Sequence, residues 1–364
     1  MNWLYIFLGF SLLIILHEGG HFLAAKATGM RVERFFLFFG PTLWSFKRGE
    51  TEYGIKTIPL GGYVKITGMN PEEEVPPEHE NRAYYRQPVW KRIVVVAAGP
   101  AVNIVLAFAI LFFVAFSYPE VNNEIGSVEP QSPAAAAALR PGDRLVSVDG
   151  KRFTRAPEED RLIRFGNTIA SHECAEAKPT KGCRATTAAR LEVEQGGRLR
   201  TFAVHPVYDP AVERTRVGIG YGSEAAADGG AEAVTFAWDK MWMVASGTFH
   251  VFAHIFEAEQ RRQISGIVGT SDVANRVIDV GVTPALLLLA LVSLSLGLIN
   301  LLPILPLDGG HIFWALVEKL RGRPASLRVM ERATMIGFAL VMVLMVIGLT
   351  NDIGRIGSDT YNVR

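Results

Sequence analysis

His17-Glu18-Gly19-Gly20-His21 stands inside an apolar run that starts at the first residues, and no other feature restricts the fold of this 364-residue chain as strongly. Ionisable groups at bilayer depth are costly unless paired, hydrated or bound to metal, so two imidazoles and a carboxylate in such a run mark a site. On a helix, positions four apart share a face, and His17 and His21 can present nitrogens to one Zn²⁺ at about 2 Å. Glu18 points into the same site, free to act as a base. The competing reading is a pair of core histidines satisfied by hydrogen bonds. It leaves unexplained why H-E-x-x-H coincides with a hydrophobic segment.

With 49% hydrophobic residues, a mean hydropathy of +0.21 and 20% charged residues, the chain is more apolar than a usual soluble protein of its length. Three further charge-free runs, Ile93 to Pro119, Gly281 to Leu307 and Ala333 to Asn351, each come close to the ~20 residues that cross a hydrocarbon layer. Together with the first segment they predict four transmembrane helices. A cleavable signal peptide over residues 3 to 16 is the rival, but no basic stretch precedes it and the apolar run continues through the histidines.

Net charge of +1 gives no reason to expect a nucleic-acid partner. Its distribution says more. Eleven lysines and arginines fall between residues 25 and 92 and five between 319 and 332. The positive-inside bias therefore predicts that both loops are cytoplasmic and that both termini and the 120 to 280 region lie outside the membrane. Cys174 and Cys183, the two cysteines, fall in that exported region, where a disulfide can persist.

Four stretches follow: residues 1–119 with two spans, the H-E-x-x-H site and a cytoplasmic β loop; an exported module at 120–207; 208–280, which holds an apolar stripe at helical spacing from Val234 to Ile255; and 281–364 with the last two spans. Within the first, Tyr53 to Gly68 reads as short strands broken by Pro and Gly, an edge that could hold an extended peptide by strand addition. Gly99-Pro100-Ala101-Val102-Asn103 near the start of the second span suits close helix packing, with Asn103 offering a buried hydrogen bond. The stripe after residue 230 predicts an amphipathic helix on the outer membrane surface. In the exported module, Ile125-Gly126-Ser127-Val128, Leu139-Arg140-Pro141-Gly142-Asp143 and Val148-Asp149-Gly150 resemble a bacterial PDZ domain, with strands at Leu191–Glu194 and Leu199–His205 joined by a Gly196-Gly197 turn.

A catalytic zinc needs three protein ligands and one open position. Asp308 and His311, at the end of the third predicted span, are the candidates at comparable depth, and chemistry alone does not choose between them. The chain here is similar to the site-2 protease family of intramembrane zinc metallopeptidases, in its bacterial regulator of sigma-E protease branch. The likeness rests on HEGGH in the first span, Asn300-Leu301-Leu302-Pro303 leading to Leu307-Asp308-Gly309-Gly310, and a PDZ domain between the second and third spans.

The resemblance implies a polytopic α-helical membrane protein with four transmembrane helices, a small membrane-associated β region and an inserted extracytoplasmic PDZ domain, set in the bacterial cytoplasmic membrane. It implies Zn²⁺ held by His17, His21 and Asp308, Glu18 as the catalytic base, His311 in support, and Asn300 and the Gly61-Gly62-Tyr63 strand holding substrate. The implied substrates are single-span membrane proteins, such as an anti-sigma factor already trimmed outside the membrane, or signal-peptide remnants. Three positions depart from the pattern: Phe38 where glycine is common, the order Leu305-Pro306, and Ser265-Gly266-Ile267 without a following proline. A membrane zinc transporter would have little use for a Glu beside a ligand, and a noncatalytic PDZ scaffold would not need the intact motif.

Overall fold

The computed structural model describes residues 2–70, 73–154, 158–176, 178–254, 257 and 266–357. They form two compact units, residues 1–115 with 229–364, and residues 116–228.

The first unit is mainly helical. Helix α1 (Asn2–Ala27) carries the H-E-x-x-H residues and α2 (Val89–Val114) follows the basic loop. After the second unit come α5 (Gly230–Ala253), α6 (Ile267–Val280), α7 (Val282–Asn300), α8 (Asp308–Arg321) and α9 (Leu327–Gly357). Among the described residues α1, α2, α7 and α9 are long and apolar enough to cross a membrane, which is compatible with the four expected spans. Glycines set how closely these helices approach. A Cβ on Gly20 would lie 2.5 Å from the Ala98 carbonyl oxygen, and one on Gly297 3.0 Å from that of Pro100, so α1 and α7 both pack directly on the α2 backbone. Helix α5 also packs on α2 and α7.

Between α1 and α2 lie two long antiparallel strands, β1 (Val32–Arg48) and β2 (Thr51–Ile66). Both bend, β1 near Phe38-Gly40 and β2 near Gly61, so that four segments pair in the order 62–66, 32–37, 52–55, 44–48. Among the described residues the segment Gly62–Ile66 is paired on one side and forms an edge. Phe38, at a position where the resemblance leads to the expectation of glycine, has φ +69°, a conformation that glycine adopts without strain.

The third span ends earlier than the charge-free run. Helix α7 stops at Asn300, and residues 301–307 form a loop before α8 begins at Asp308. Asp308 thus opens a new helix, where the sequence placed it at the end of a span. Gly309 and Gly310 make this loop possible, because a Cβ on either would strike the backbone of Leu301, Leu302, Ile304 or Leu305.

The second unit is a five-stranded sheet in the order β6-β5-β4-β3-β9, its neighbouring strands antiparallel: β3 (Pro119–Val128), β4 (Arg144–Val148), β5 (Ala189–Gln195), β6 (Arg198–Val204) and β9 (Ile219–Ala225). A small β7–β8 ribbon (Val207–Asp209, Arg214–Arg216), the short helix α3 (Pro133–Ala136) and α4 (Glu158–Ala170) complete it. Ile125, Leu145, Val148, Phe165, Leu191 and Val193 are fully buried between sheet and helix. Gly196 and Gly197, both at positive φ, make the tight β5–β6 hairpin expected from the sequence. Beyond Val207 the sheet takes in β9, which pairs along β3. Cys174 and Cys183 are bridged, with Cα atoms 6.2 Å apart.

Candidate metal centre

His17 and His21 sit one turn apart on α1, and the fold brings Asp308 at the first position of α8 against them. His17 Nε2 lies 3.3 Å from His21 Nε2 and 3.3 Å from Asp308 Oδ2, and His21 Nε2 lies 3.4 Å from the same oxygen. Zinc bonds of about 2.0–2.2 Å at the tetrahedral angle separate neighbouring ligand atoms by about 3.3–3.6 Å. The observed triangle has that size. Asp308 Oδ2 is buried and, among the described residues, accepts no hydrogen bond although two imidazole nitrogens face it, which is the situation a cation resolves. Two imidazoles and one carboxylate suit Zn²⁺ in their donor chemistry as well. This is the one group of three His, Cys, Asp or Glu donors with metal-site spacing among the described residues.

Helix α2 sets the histidine rings. His21 Nδ1 donates to the Val95 carbonyl oxygen at 2.9 Å, which leaves Nε2 bare toward the triangle. The ring fits only because position 99 is glycine, since a Cβ there would overlap His21 Nε2. Asn103, fully buried on α2, reaches His17 Nδ1 at 3.3 Å. Helix α8 is held to α2 by Arg92, whose Nη1 donates to Glu318 Oε2 at 2.9 Å and Nη2 to Oε1 at 2.5 Å. Neither the Val95 carbonyl nor this ion pair was legible beforehand: a backbone acceptor has no sequence signal, and Arg92 counts equally well as one of the loop's positive charges.

Glu18 turns toward the β region. A Cβ on Gly62 would come 3.0 Å from Glu18 Cγ and 3.3 Å from Ile14 Cγ2, so the edge segment passes directly over the carboxylate-bearing side chain. Gly61 has φ +74° and leaves room for the Phe39 ring. The Tyr63 ring stacks on Phe36 and Phe39, with Lys56 Nζ 4.7 Å above it. Beside this edge runs an open groove of about 320 Å³ lined by Tyr63, Ile66, Met69, Asn70, Glu73 and His311. Tyr63 and His311 line this groove, and Gly62, next to Tyr63 on the same segment, lies against Glu18. Asn300, the half-buried last residue of α7, does not line that groove.

Two histidines on one face of a membrane-length helix, met by a carboxylate oxygen from α8 and with Glu18 beside them, are the donor set of a metallopeptidase within a membrane. The profile of peptidase family M50 matches residues 5–344. Zinc metalloprotease Rip1 of Mycobacterium bovis is 33% identical over 86% of this chain and 85% of its own length, and Rip1 of Mycolicibacterium smegmatis 33% over 90% and 88%. A Rhizobium meliloti protein is 31% identical over 94% of both chains. The chain belongs to peptidase family M50, the site-2 proteases. It is a membrane metalloprotease whose expected cofactor is Zn²⁺, in a family that acts on membrane-protein substrates within the bilayer.

Proposed function

We propose that this protein cuts transmembrane segments of single-span membrane proteins after a first cut outside the membrane, with His17, His21 and Asp308 as zinc ligands and Glu18 as catalytic base. The observation that carries the reading is the placement of Glu18 between the donor triangle and the one-sided edge at Gly62. Zinc, when bound, supplies a Lewis acid that acidifies water and polarises a scissile carbonyl. Glu18 takes the proton of the attacking water and returns it to the departing amide nitrogen as the C–N bond breaks. A helical substrate hides its peptide bonds in internal hydrogen bonds and must unwind before it can react. Gly62–Ile66 receives the unwound segment by strand addition, with Gly61, Gly62 and Tyr63 shaping its path and Asn300 steadying it from the end of α7. An anti-sigma factor and signal-peptide remnants are the substrate types this reading favours.

The unit at 116–228 is, in the same reading, a PDZ domain on the extracytoplasmic side that excludes substrates still carrying bulky exported domains. Both chain termini lie on that side, in a bacterial cytoplasmic membrane.

The test measures zinc content and cleavage of a single-span substrate together. Glu18→Gln keeps its zinc and loses about 10²- to 10⁴-fold in cleavage rate. Asp308→Asn loses zinc, whereas His311→Ala retains most of it. Normal turnover by Glu18→Gln overturns the mechanism, and the opposite ranking at 308 and 311 moves the third ligand to His311.

A further inference from the structure

We propose that Asn103 is a positioning residue for the metal site, accepting the Nδ1 proton of His17 through Oδ1 so that His17 keeps Nε2 bare for the ion. The inference rests on the reading of His17 as a zinc ligand. A neutral imidazole that binds metal through Nε2 carries its proton on Nδ1, and that N–H needs an acceptor in a buried site. His21 has one in the Val95 carbonyl oxygen, 2.9 Å away. For His17, the group found at Nδ1 among the described residues is the Asn103 side-chain amide, with Nδ2 placed 3.3 Å away, so the proposed acceptance by Oδ1 requires the amide turned by half a turn.

Three features fit this role. Asn103 is wholly buried, so water cannot replace it. Its Oδ1 is buried without a hydrogen-bond partner among the described residues, an acceptor in reserve next to the nitrogen that requires one. Its backbone is fixed, because Ser293 Oγ on α7 donates to the Asn103 carbonyl oxygen at 2.9 Å. A half-turn of the amide exchanges Oδ1 and Nδ2 without changing the shape of the side chain. Asparagine can thus donate to Nδ1 in one imidazole tautomer and accept from it in the other, where leucine can do neither. Helix α2 then orients both ligand histidines, one through its backbone and one through this side chain.

The experiment compares zinc affinity of the full-length protein in detergent by chelator competition, with the absorption spectrum of the Co²⁺-substituted protein as a second readout. The parent, Asn103→Leu, Asn103→Asp and His17→Ala are measured, each first shown to be monodisperse with unchanged helix content. Asn103→Leu, close in volume, weakens zinc binding by about 10- to 100-fold and alters the Co²⁺ bands, whereas Asn103→Asp, which keeps an acceptor, stays within about threefold of the parent. His17→Ala loses the metal. Parent-like zinc affinity in Asn103→Leu, with His17→Ala impaired, overturns the positioning role and leaves the metal centre standing. Undiminished affinity in His17→Ala overturns both. Should Asn103→Leu not fold, Asn103→Ser, too short to reach the imidazole, takes its place, and parent-like affinity there overturns the inference.

Discussion

The two units solve opposite burial problems. In the sheet unit Phe165, Ile125, Leu145 and Leu191 are sealed in one core and charges such as Arg152 and Glu192 pair at the surface. In the helical unit many of the largest apolar side chains face outward: Trp3, Phe113, Phe338 and Val343 are exposed, while His17, Asn103, Ser293 and Asp352 are buried. Lipid is as apolar as leucine, so in the membrane unit burial of large residues gives little drive, and small residues with internal hydrogen bonds decide which helices touch. Asp352 on α9 shows this, accepting from Gly266 and Gly269 N–H at 3.1 and 2.8 Å at the start of α6. The contrast explains why the buried polar groups of the candidate metal centre belong to the helical unit, where a polar interior is the normal arrangement.

That contrast can be broken most directly by deleting one ring from each unit. Phe165→Ala leaves a void in a close-packed core and costs the sheet unit about 3–5 kcal/mol, seen as faster hydrogen exchange across β4 and β5. Phe338→Ala on α9 removes a ring that faces outward and changes thermal stability in lipid by well under that. Equal losses would mean that α9 is covered by protein and not by lipid.

A charge sharpens the same comparison at a smaller scale. Val343→Lys, near the middle of α9, costs about 2.5–3.5 kcal/mol and lowers the amount of protein inserted in the membrane. Leu199→Lys, on the exposed strand β6, changes stability by no more than about 0.5 kcal/mol. Normal insertion of Val343→Lys would remove α9 from the set of spans.

The smallest effect concerns the hydrated loop of the helical unit. Hydrogen bonds from Arg82, with Lys26 alongside, hold the Glu50 carboxyl down at about 2 from an ordinary 4.5. A carboxylate depressed in the folded state stabilises it above the unfolded value, and this contribution is lost as pH falls from 4.5 toward 2. Glu50→Gln therefore costs about 1 kcal/mol or less at neutral pH, because the pair is partly screened by water, and flattens the decline in stability over that acid range. An acid unfolding profile unchanged by the substitution would show that the pair contributes nothing.

Much of the site could be read before any fold was known, because it is built from local patterns. The i, i+4 histidines with Glu18 between them need only one helix, and the four apolar runs needed only their length. The hairpin at Gly196-Gly197 and the pairing of Cys174 with Cys183 were equally local. The third ligand was not local: chemistry left Asp308 and His311 open, and resemblance alone preferred Asp308. Helix α7 ends at Asn300 because the chain turns at Leu301–Leu307, and a charge-free run does not reveal where a helix stops inside it. The long β1 strand, Val32–Arg48, lies in a stretch whose apolar residues do not alternate cleanly, so its pairing on both sides escaped the pattern.

The sequence by itself determined the chemistry available: two imidazoles and a carboxylate on one apolar helix, four segments able to cross a membrane, and a loop carrying most of the positive charge of the first half. Tertiary structure alone decided which oxygen completes the triangle, which backbone carbonyl holds His21, and that Gly62 lies over Glu18. The physical reason is separation along the chain. His17 and Asp308 are brought to 3.3 Å by the packing of α1, α2 and α8 through glycines and one half-buried ion pair, and such contacts depend on three-dimensional fit that no periodicity encodes.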